Sequence, residues 1–300
     1  MIIAKCPLRV SLVGGSTDLQ DFVDHYGKGS VISFPTTLYT YIMINENCNI
    51  KKYRIKYSKE EIVTSAGHIK NDIARTVINA FGLPPIEVIF NSDIPSTGTG
   101  LASSSSYLLA FIKAADEYLG LGMSQFEICK KAMKLERQYN PLTGFQDIYG
   151  CGMGGLKRMD FYKDKVKFTY LDAKEFSKFD MHLIDTEVKR KSHKILKGLD
   201  LKSREKLLSF VDELEANITD QNHIFRLLNE NWKQKKFTSN KISTGIVAGI
   251  DANLSKEMAV QGYKLLGAGA GGFFLVLALH NLFVGDIQIG IDNEGVRLAV

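Results

Sequence analysis

The chain has 300 residues, of which 45% are hydrophobic and 24% charged, and it carries a formal net charge of +5. That balance excludes a disordered or low-complexity chain and suits one large domain or two modest ones. Lys and Arg cluster only locally, in "KKYRIKYSK" (51–59) and "EVKRKSHKILK" (187–197), without the aromatic interleaving of a nucleic-acid reader, so small anionic ligands are the expected partners.

In chain order, "IIAKCPLRVSLVGG" predicts a strand ending in a glycine turn, and Lys5, Pro7 and Arg9 interrupt it before a signal-peptide core forms. "VISFPTTLYTYIMINEN" predicts a long strand and "YRIKYS" another. Ile69, Ile73, Val77 and Phe81 recur at helical spacing and stop at Gly82 and two prolines. "IEVIFNSDIP" (86–95) returns to strand alternation, and a helix follows through Leu108, Leu109, Ile112 and Leu119. The next helix opens at the capping box "SQFE", with Ser124 and Glu127, and runs to about Tyr139. "GFQDIYGCGMGGLKRMDF" reads as a Gly-rich stretch that becomes extended, and "KVKFTYLDA" as the other arm of a hairpin.

A domain boundary is expected near residue 176, giving domains 1–176 and 177–300. The second half opens with the strand "MHLIDTEV", continues with helices around 207–214, 224–232 and 255–266, and ends with the strand "GFFLVLAL" and a terminal strand pair. Strands followed by runs of helices predict an α+β fold. The apolar run "FFLVLAL" is far short of the ~20 residues that span a bilayer, so no membrane association is expected. Cys6, Cys48, Cys129 and Cys151 are scattered, which indicates neither a disulfide framework nor a zinc site and suits a reducing cytoplasm.

Four stretches carry chemistry. In "PSTGTGLASSSS" (95–106), Gly98 and Gly100 allow close backbone approach to a ligand, and a helix starting among the serines offers unpaired N–H groups and the positive end of its dipole. Together these form an anion cradle suited to a triphosphate, with hydroxyls available as donors or a metal ligand. A plain loop with a helix cap is the alternative, although a cap needs one serine rather than four. No Lys follows the glycines, so this is not a Walker loop.

In "PLRVSLVGGSTDLQDF" (7–22), a strand bearing Arg9 ends in Gly14 and Gly15 and presents Thr17 and Asp18; Asp18 can accept from sugar hydroxyls and Arg9 can hold a phosphate, or the pair forms an ordinary turn and surface ion pair. In "KLERQYNPLTGFQDIYG" (134–150), Glu136 lies late on a helix and Asp147 follows a Gly-containing loop. Beside a phosphate cradle one acid can hold Mg²⁺ and the other can deprotonate a hydroxyl, whereas alone both would be solvated. "GYKLLGAGAGGFFLVLA" (262–278) reads as a helix ending in a glycine tract before a buried strand, which permits close approach to a ligand or to another element.

The order of these stretches resembles the GHMP kinases, the family of galactokinase, homoserine kinase and mevalonate kinase, whose three motifs fall at 7–18, 95–106 and 267–272. Within it, "PLRVSLVGGSTD", "YRIKYSKEE", "LERQYNPLTGFQDIYG" and "GYKLLGAGAGGFFLVL" are similar to the bacterial D-glycero-D-manno-heptose 7-phosphate kinase group, and "GGSTD" departs from the Gly-Glu-His-Thr-Asp run of galactokinases. The resemblance implies a two-domain α+β fold: an N-terminal half with a left-handed βαβ crossover, a ferredoxin-like C-terminal half, and ligands between them.

The resemblance also implies the site. The nucleotide of ATP falls on Pro95, Gly98, Thr99, Gly100, Leu101, Ala102, Ser103, Ser104 and Ser105, with Mg²⁺ on Ser104 and Glu136. Asp147 matches the acid facing the acceptor hydroxyl, and Arg9 the basic residue beside it. The acceptor falls on Gly15, Ser16, Thr17, Asp18, Gly144, Gln146, Gly269, Ala270 and Gly271. If it carries a phosphate, Lys189, Arg190 and Lys264 are the candidate cations.

The implied activity is ATP-dependent phosphorylation of the anomeric hydroxyl of a sugar phosphate, foremost D-glycero-D-manno-heptose 7-phosphate, by a cytoplasmic enzyme that binds neither nucleic acid nor membrane and is compatible with a homodimer. A fucokinase-like sugar 1-kinase and a non-catalytic sugar- or nucleotide-binding regulator are the alternatives. The chain departs from the family at an extra residue between Pro95 and Gly98, at Ala102, at Ser16 where the heptose kinases have Gly, at Glu187, and in lacking an acid near Arg75.

Overall fold

The computed structural model of the protein describes residues 1–46, 51–94, 98–163, 165–188, 201–239, 242–243 and 245–299. Its first layer is an eight-stranded sheet built on β1 (Ile2–Val13) and β2 (Gly29–Asn45), which pair antiparallel. Their register shifts between Pro7 and Arg9, an irregularity of the kind that re-aims side chains beside functional sites. Before the shift, Ala4 and Cys6 belong to the core of the N-terminal half; after it, Leu8, Val10 and Leu12 belong to a second core. Arg9 therefore sits where the strand passes from one core to the other.

The short helix α1 (Gln20–Tyr26) joins β1 to β2. The hairpin β3 (Tyr53–Lys56) and β4 (Glu60–Val63) leads through α2 (Asp72–Phe81) to β5 (Glu87–Ser92), which lies antiparallel to β2 and parallel to β3. Gly82 ends α2 in the left-handed conformation, as the sequence predicts, but the helix starts at an Asn71 cap and leaves Ile69 outside. Then come α3 (Ser103–Leu119), α4 (Gln125–Tyr139) with the complete Ser124/Glu127 capping box, and α5 (Phe145–Gly152). β6 (Lys157–Phe161) pairs with β2 and with β7 (Val166–Tyr170).

The second layer is an antiparallel four-stranded sheet of β8 (Asp180–Asp185), β9 (Val260–Leu265), β10 (Phe273–Ala278) and β11 (Ile287–Ile289), in the order β11-β8-β10-β9. Helices α6 (Leu201–Ala216), α7 (Gln221–Phe237) and α8 (Ile246–Leu254) lie between β8 and β9 in the chain. No helix of the described residues is long and apolar enough to cross a membrane. Leu8, Val10 and Phe34 of the first sheet share a buried cluster with Leu183, Val211, Phe225 and Leu275 of the second half. At about 1.5–3 kcal/mol for each fully buried large apolar side chain, this shared core binds the two layers together.

Three elements differ from the sequence prediction. The Gly-rich 144–152 stretch is the helix α5, because its glycines meet packing demands that outweigh their poor helix propensity. A Cβ at Gly152 would stand 2.2 Å from the Cys129 sulfur. The helix expected over 255–266 is instead a turn and strand β9, decided by pairing with β10 and by Gly262, where a Cβ would lie 3.1 Å from the Phe225 Cα on α7. The last two strands do not pair with each other: β11 joins β8, and β12 (Arg297–Leu298) returns to the first sheet beside β1.

Candidate active site

A cleft runs between the layers, walled by the loop after β1, the start of α3, the end of α4, the start of α5, and α7 with β9. One end is the predicted cradle. Gly98 and Gly100 take positive φ values of 76° and 77°, and so does Ala102 at 63°, where a side chain is strained. Ala102 is the N-cap of α3 and caps nothing with its side chain, so the serines do not serve as caps. The first turn of α3 keeps its N–H groups and dipole for an anion in the cleft.

The glycine tract 267–272 holds this cradle from behind. The Phe273 N–H donates to the Thr99 carbonyl at 3.1 Å, and a Cβ on Gly272 would stand 2.4 Å from that same oxygen. Gly267 and Ala268 line the cleft. The expected ligand residues beyond them do not: Gly269 backs onto Ile242, Gly271 onto Val188, and the Ala270 N–H donates to the Ile242 carbonyl. The tract is thus largely a close-packing device, because its backbone must nest under the cradle. Leu101 and Thr17 likewise turn inward: Leu101 is core, and the Thr17 hydroxyl donates to the Gly14 and Ser30 carbonyls.

At the middle of the cleft Arg9 and Asp147 meet. Arg9 is buried and donates through Nε and Nη2 to Asp147 Oδ1 at 3.1 and 2.6 Å, while Nη1 donates to the Gly100 carbonyl at 2.9 Å. Burial opposes the guanidinium charge, but Asp147 more than offsets it, so the Arg9 pKa is raised. Both bonds fall on Oδ1, which leaves Oδ2 of this partly exposed carboxylate to the cleft. Gly150, one turn along α5, lets the helix lie against the Arg9 stem, since a Cβ there would touch Arg9 Cγ at 3.3 Å.

Two further carboxyls flank that pair. Glu136 is buried at the end of α4 and accepts from the Ser105 hydroxyl at 2.8 Å. Burial pushes its carboxyl up to about 7, against the Ser105 bond, and the charge of Asp147 adds to the rise. Ser104 is exposed at the head of α3 on the same cleft wall. Asp18 is buried in the loop after β1 and accepts from the backbone N–H of Gln146 at 3.1 Å and from its side-chain Nε2 at 3.0 Å. Burial and then the charge of Asp147 push Asp18 up to about 6. Gly144 is obligatory here, because a Cβ would lie 1.9 Å from Asp18 Oδ2.

The opposite wall is supplied by the C-terminal half. Lys264 on β9 is buried and donates to the Leu12 carbonyl at 2.7 Å and to Asn231 Oδ1 at 3.0 Å. Burial, then the charge of Arg9, push its ammonium down to about 7. Lys235 also lines the cleft and donates to the carbonyls of Leu265 and Gly267. Arg204 on α6 supports the acceptor-side loop by donating to the Ser16 carbonyl at 3.1 Å and to Asp21. Pro95, Lys189 and Arg190 lie outside the described residues.

Sequence reading missed Asn231, Lys235 and Arg204. A signal existed: Leu227, Asn231 and Lys235 follow one another at i, i+4 on the buried stripe of α7, where polar residues are out of place unless they serve a site. Arg204 gave no comparable signal, since its partners Ser16 and Asp21 lie far away in the chain.

The comparisons with known proteins agree with this geometry. The family model of the GHMP kinases N terminal domain matches residues 52–155. A D-glycero-alpha-D-manno-heptose 7-phosphate kinase of Campylobacter jejuni is 29% identical over 91% of this chain and 88% of its own length. An L-fucokinase/L-fucose-1-P guanylyltransferase of Bacteroides fragilis is 23% identical over 93% of this chain but only 34% of its own. Among solved structures, a D-glycero-D-manno-heptose 1-phosphate kinase from Bacteroides thetaiotaomicron superposes with a TM-score of 0.78, at 20% identity and with coverage of 100% and 99% of the two chains. A mevalonate kinase superposes at 0.77, with 18% identity and coverage of 98% and 100%.

Proposed function

We propose that this chain, which matches the GHMP kinases N terminal domain over residues 52–155, is an ATP-dependent kinase that phosphorylates the anomeric hydroxyl of a sugar phosphate, foremost D-glycero-D-manno-heptose 7-phosphate. The observation that carries this reading is the Arg9–Asp147 pair, bonded through a single carboxylate oxygen midway between an anion cradle and a loop of sugar-type acceptors.

Phosphoryl transfer asks a protein mainly for alignment and charge neutralisation. The N–H groups at the head of α3 seat the nucleotide phosphates, and Arg9 fixes Asp147 against the cradle through its bond to the Gly100 carbonyl. Asp147 Oδ2 takes the proton of the attacking hydroxyl, while Asp18 and Gln146 orient the sugar.

Mg²⁺ fits the residues present. Glu136 is buried on the cleft wall with a carboxylate oxygen on the Ser105 hydroxyl, and Ser104 stands exposed on the same wall. Ser104 and Glu136 would hold the ion, which supplies neutralisation of the charge on the transferred phosphoryl group.

The test is incubation with Mg-ATP and a panel of sugars and sugar phosphates, with ³¹P NMR locating any new phosphate. A new anomeric phosphate on heptose 7-phosphate is the expected result. Transfer to free fucose instead would favour the fucokinase-like activity, and transfer to nothing would sink the kinase reading.

A further inference from the structure

Outside the cleft, one buried side chain is placed where it bears on the reacting pair. Lys157 opens β6 and is 0% exposed, and its hydrogen bonds among the described residues all go to main-chain carbonyls. Its Nζ donates to Met153 at 2.6 Å, Gly155 at 3.2 Å, Gly150 at 3.4 Å and Gly154 at 3.5 Å. These oxygens belong to the last turn of α5 and the turn that follows it, at the negative end of the helix dipole. A buried carbonyl without a donor is costly, and here one side chain serves the whole group.

Helix α5 depends on such outside support. It has eight residues, two of them glycine, and a helix that short does not hold itself together in water. The segment after β11 closes its end from outside: the Gly155 N–H donates to the Asp292 carbonyl at 2.8 Å, and the Val296 N–H to the Gly152 carbonyl at 3.1 Å. Lys157 holds the same turn from inside, and its own backbone is fixed in the sheet opposite Ser33 of β2. The other face of α5 meets the site. Gly150, whose carbonyl Lys157 bonds, is the residue that packs on the Arg9 stem, and Asp147 stands about one turn earlier in the helix. Sheet, Lys157, α5 and the Arg9–Asp147 pair thus form one chain of direct contacts.

We propose that Lys157 is a positioning residue for the transfer: by gathering the carbonyls at the end of α5 it sets how the helix lies against Arg9, and so where Asp147 Oδ2 faces the acceptor hydroxyl. The inference rests on the kinase reading for the task of Asp147, and adds a residue on which that task depends. Lys157 does not line the cleft, so its removal reaches the reaction through α5 rather than through a ligand. A shift of Asp147 by about 1 Å would cost up to ~10²-fold in rate while the nucleotide cradle on α3 stays in place.

The test is a double-mutant cycle with Mg-ATP and D-glycero-D-manno-heptose 7-phosphate. Lys157→Met keeps most of the stem and removes the donors; its kcat should fall at least ~10-fold while KM for ATP stays within about threefold of wild type. Added to Asp147→Asn, the same substitution should cost almost nothing further, because its effect runs through Asp147. Val88→Ala, a core change on β5, controls for lost stability and should leave kcat unchanged. A wild-type kcat in Lys157→Met, or a loss that persists in full in the Asp147→Asn background, would overturn the proposal. If Lys157→Met does not fold, Lys157→Gln, which keeps one donor group, enters the same cycle with the same two outcomes. If no acceptor is turned over, the ¹⁵N NMR signal of the Arg9 Nε–H, which Asp147 holds, keeps the two claims apart. A signal displaced or broadened by Lys157→Met, as by Asp147→Asn, supports the positioning without the kinase reading, and an unchanged signal refutes it.

Discussion

Asp18→Asn should make the free protein more stable at neutral pH while impairing the acceptor site. Asp18 is 1% exposed and its carboxyl is pushed up from 3.8 to about 6, chiefly by burial and then by the charge of Asp147. A carboxyl whose folded pKa is raised binds a proton more tightly in the folded state, so stability falls as pH rises from about 4 to about 6, and the full penalty stands above that window. Two pKa units correspond to about 3 kcal/mol.

Asparagine removes the charge with little change of shape. Its Oδ1 can accept from the Gln146 N–H, and its amide can donate to Gln146 Oε1 after that side chain flips, which gives the orphaned oxygen a partner. Urea unfolding of the ligand-free protein at pH 8 should show Asp18→Asn more stable by about 2–3 kcal/mol, and at pH 4 the gain should nearly vanish. Activity of the same variant should fall at least ~10-fold through acceptor binding, since it loses an ionic acceptor for sugar hydroxyls. A variant less stable than wild type at pH 8, or a gain that is the same at both pH values, would show that burial and Asp147 do not burden this carboxyl.

Asp147→Asn should lower kcat by at least ~10²-fold with nucleotide binding nearly intact, as measured by single-turnover kinetics beside nucleotide titration. Ser105→Ala removes the Ser105 hydroxyl from Glu136, and the Mg²⁺ concentration that half-saturates activity should rise about tenfold. Gly272→Ala meets both a φ of 95° and the Thr99 carbonyl, so it should destabilise the protein by roughly 1–3 kcal/mol and weaken ATP binding more than acceptor binding. Unchanged ATP affinity in that variant would mean that the glycine tract does not set the cradle.

What the sequence discloses depends on how local the cause is. The Ser124 cap, the Gly82 exit and the strands β1 and β2 were legible because each is signalled by its own local pattern. Helix α5 and strand β9 were not, since Gly152 and Gly262 are there for distant neighbours, Cys129 and Phe225. The site divides in the same way. The α3 cradle, Arg9, Glu136 and Asp147 sit in motifs with recognisable chemistry, whereas the opposite wall arises when α7 and β9 bring Asn231 and Lys264 together from 33 residues apart. Within the serine run the structure separates the side chains: Ser105 bonds Glu136, while Ser104 faces the cleft.

The separate origins of the two walls explain why the halves are fastened so firmly. Groups from the two halves can act on one substrate only if their separation is fixed, because a displacement near 1 Å in a reacting site costs orders of magnitude in rate. The shared core of Leu8, Val10, Phe34, Phe225 and Leu275 supplies the bulk of that fastening. Helix α6 adds charged ties at two points along its length: Arg204 to Asp21 and the Ser16 carbonyl near its start, and Asp212 and Glu215 to Arg158 of β6 further on. Arg204 is 1% exposed, so removing Asp21 would leave a buried guanidinium short of its counter-charge. The same helix contributes Leu207 to the cleft wall. A polar clamp at the acceptor loop thus sets the distance between Asp18 and Lys264 across the cleft.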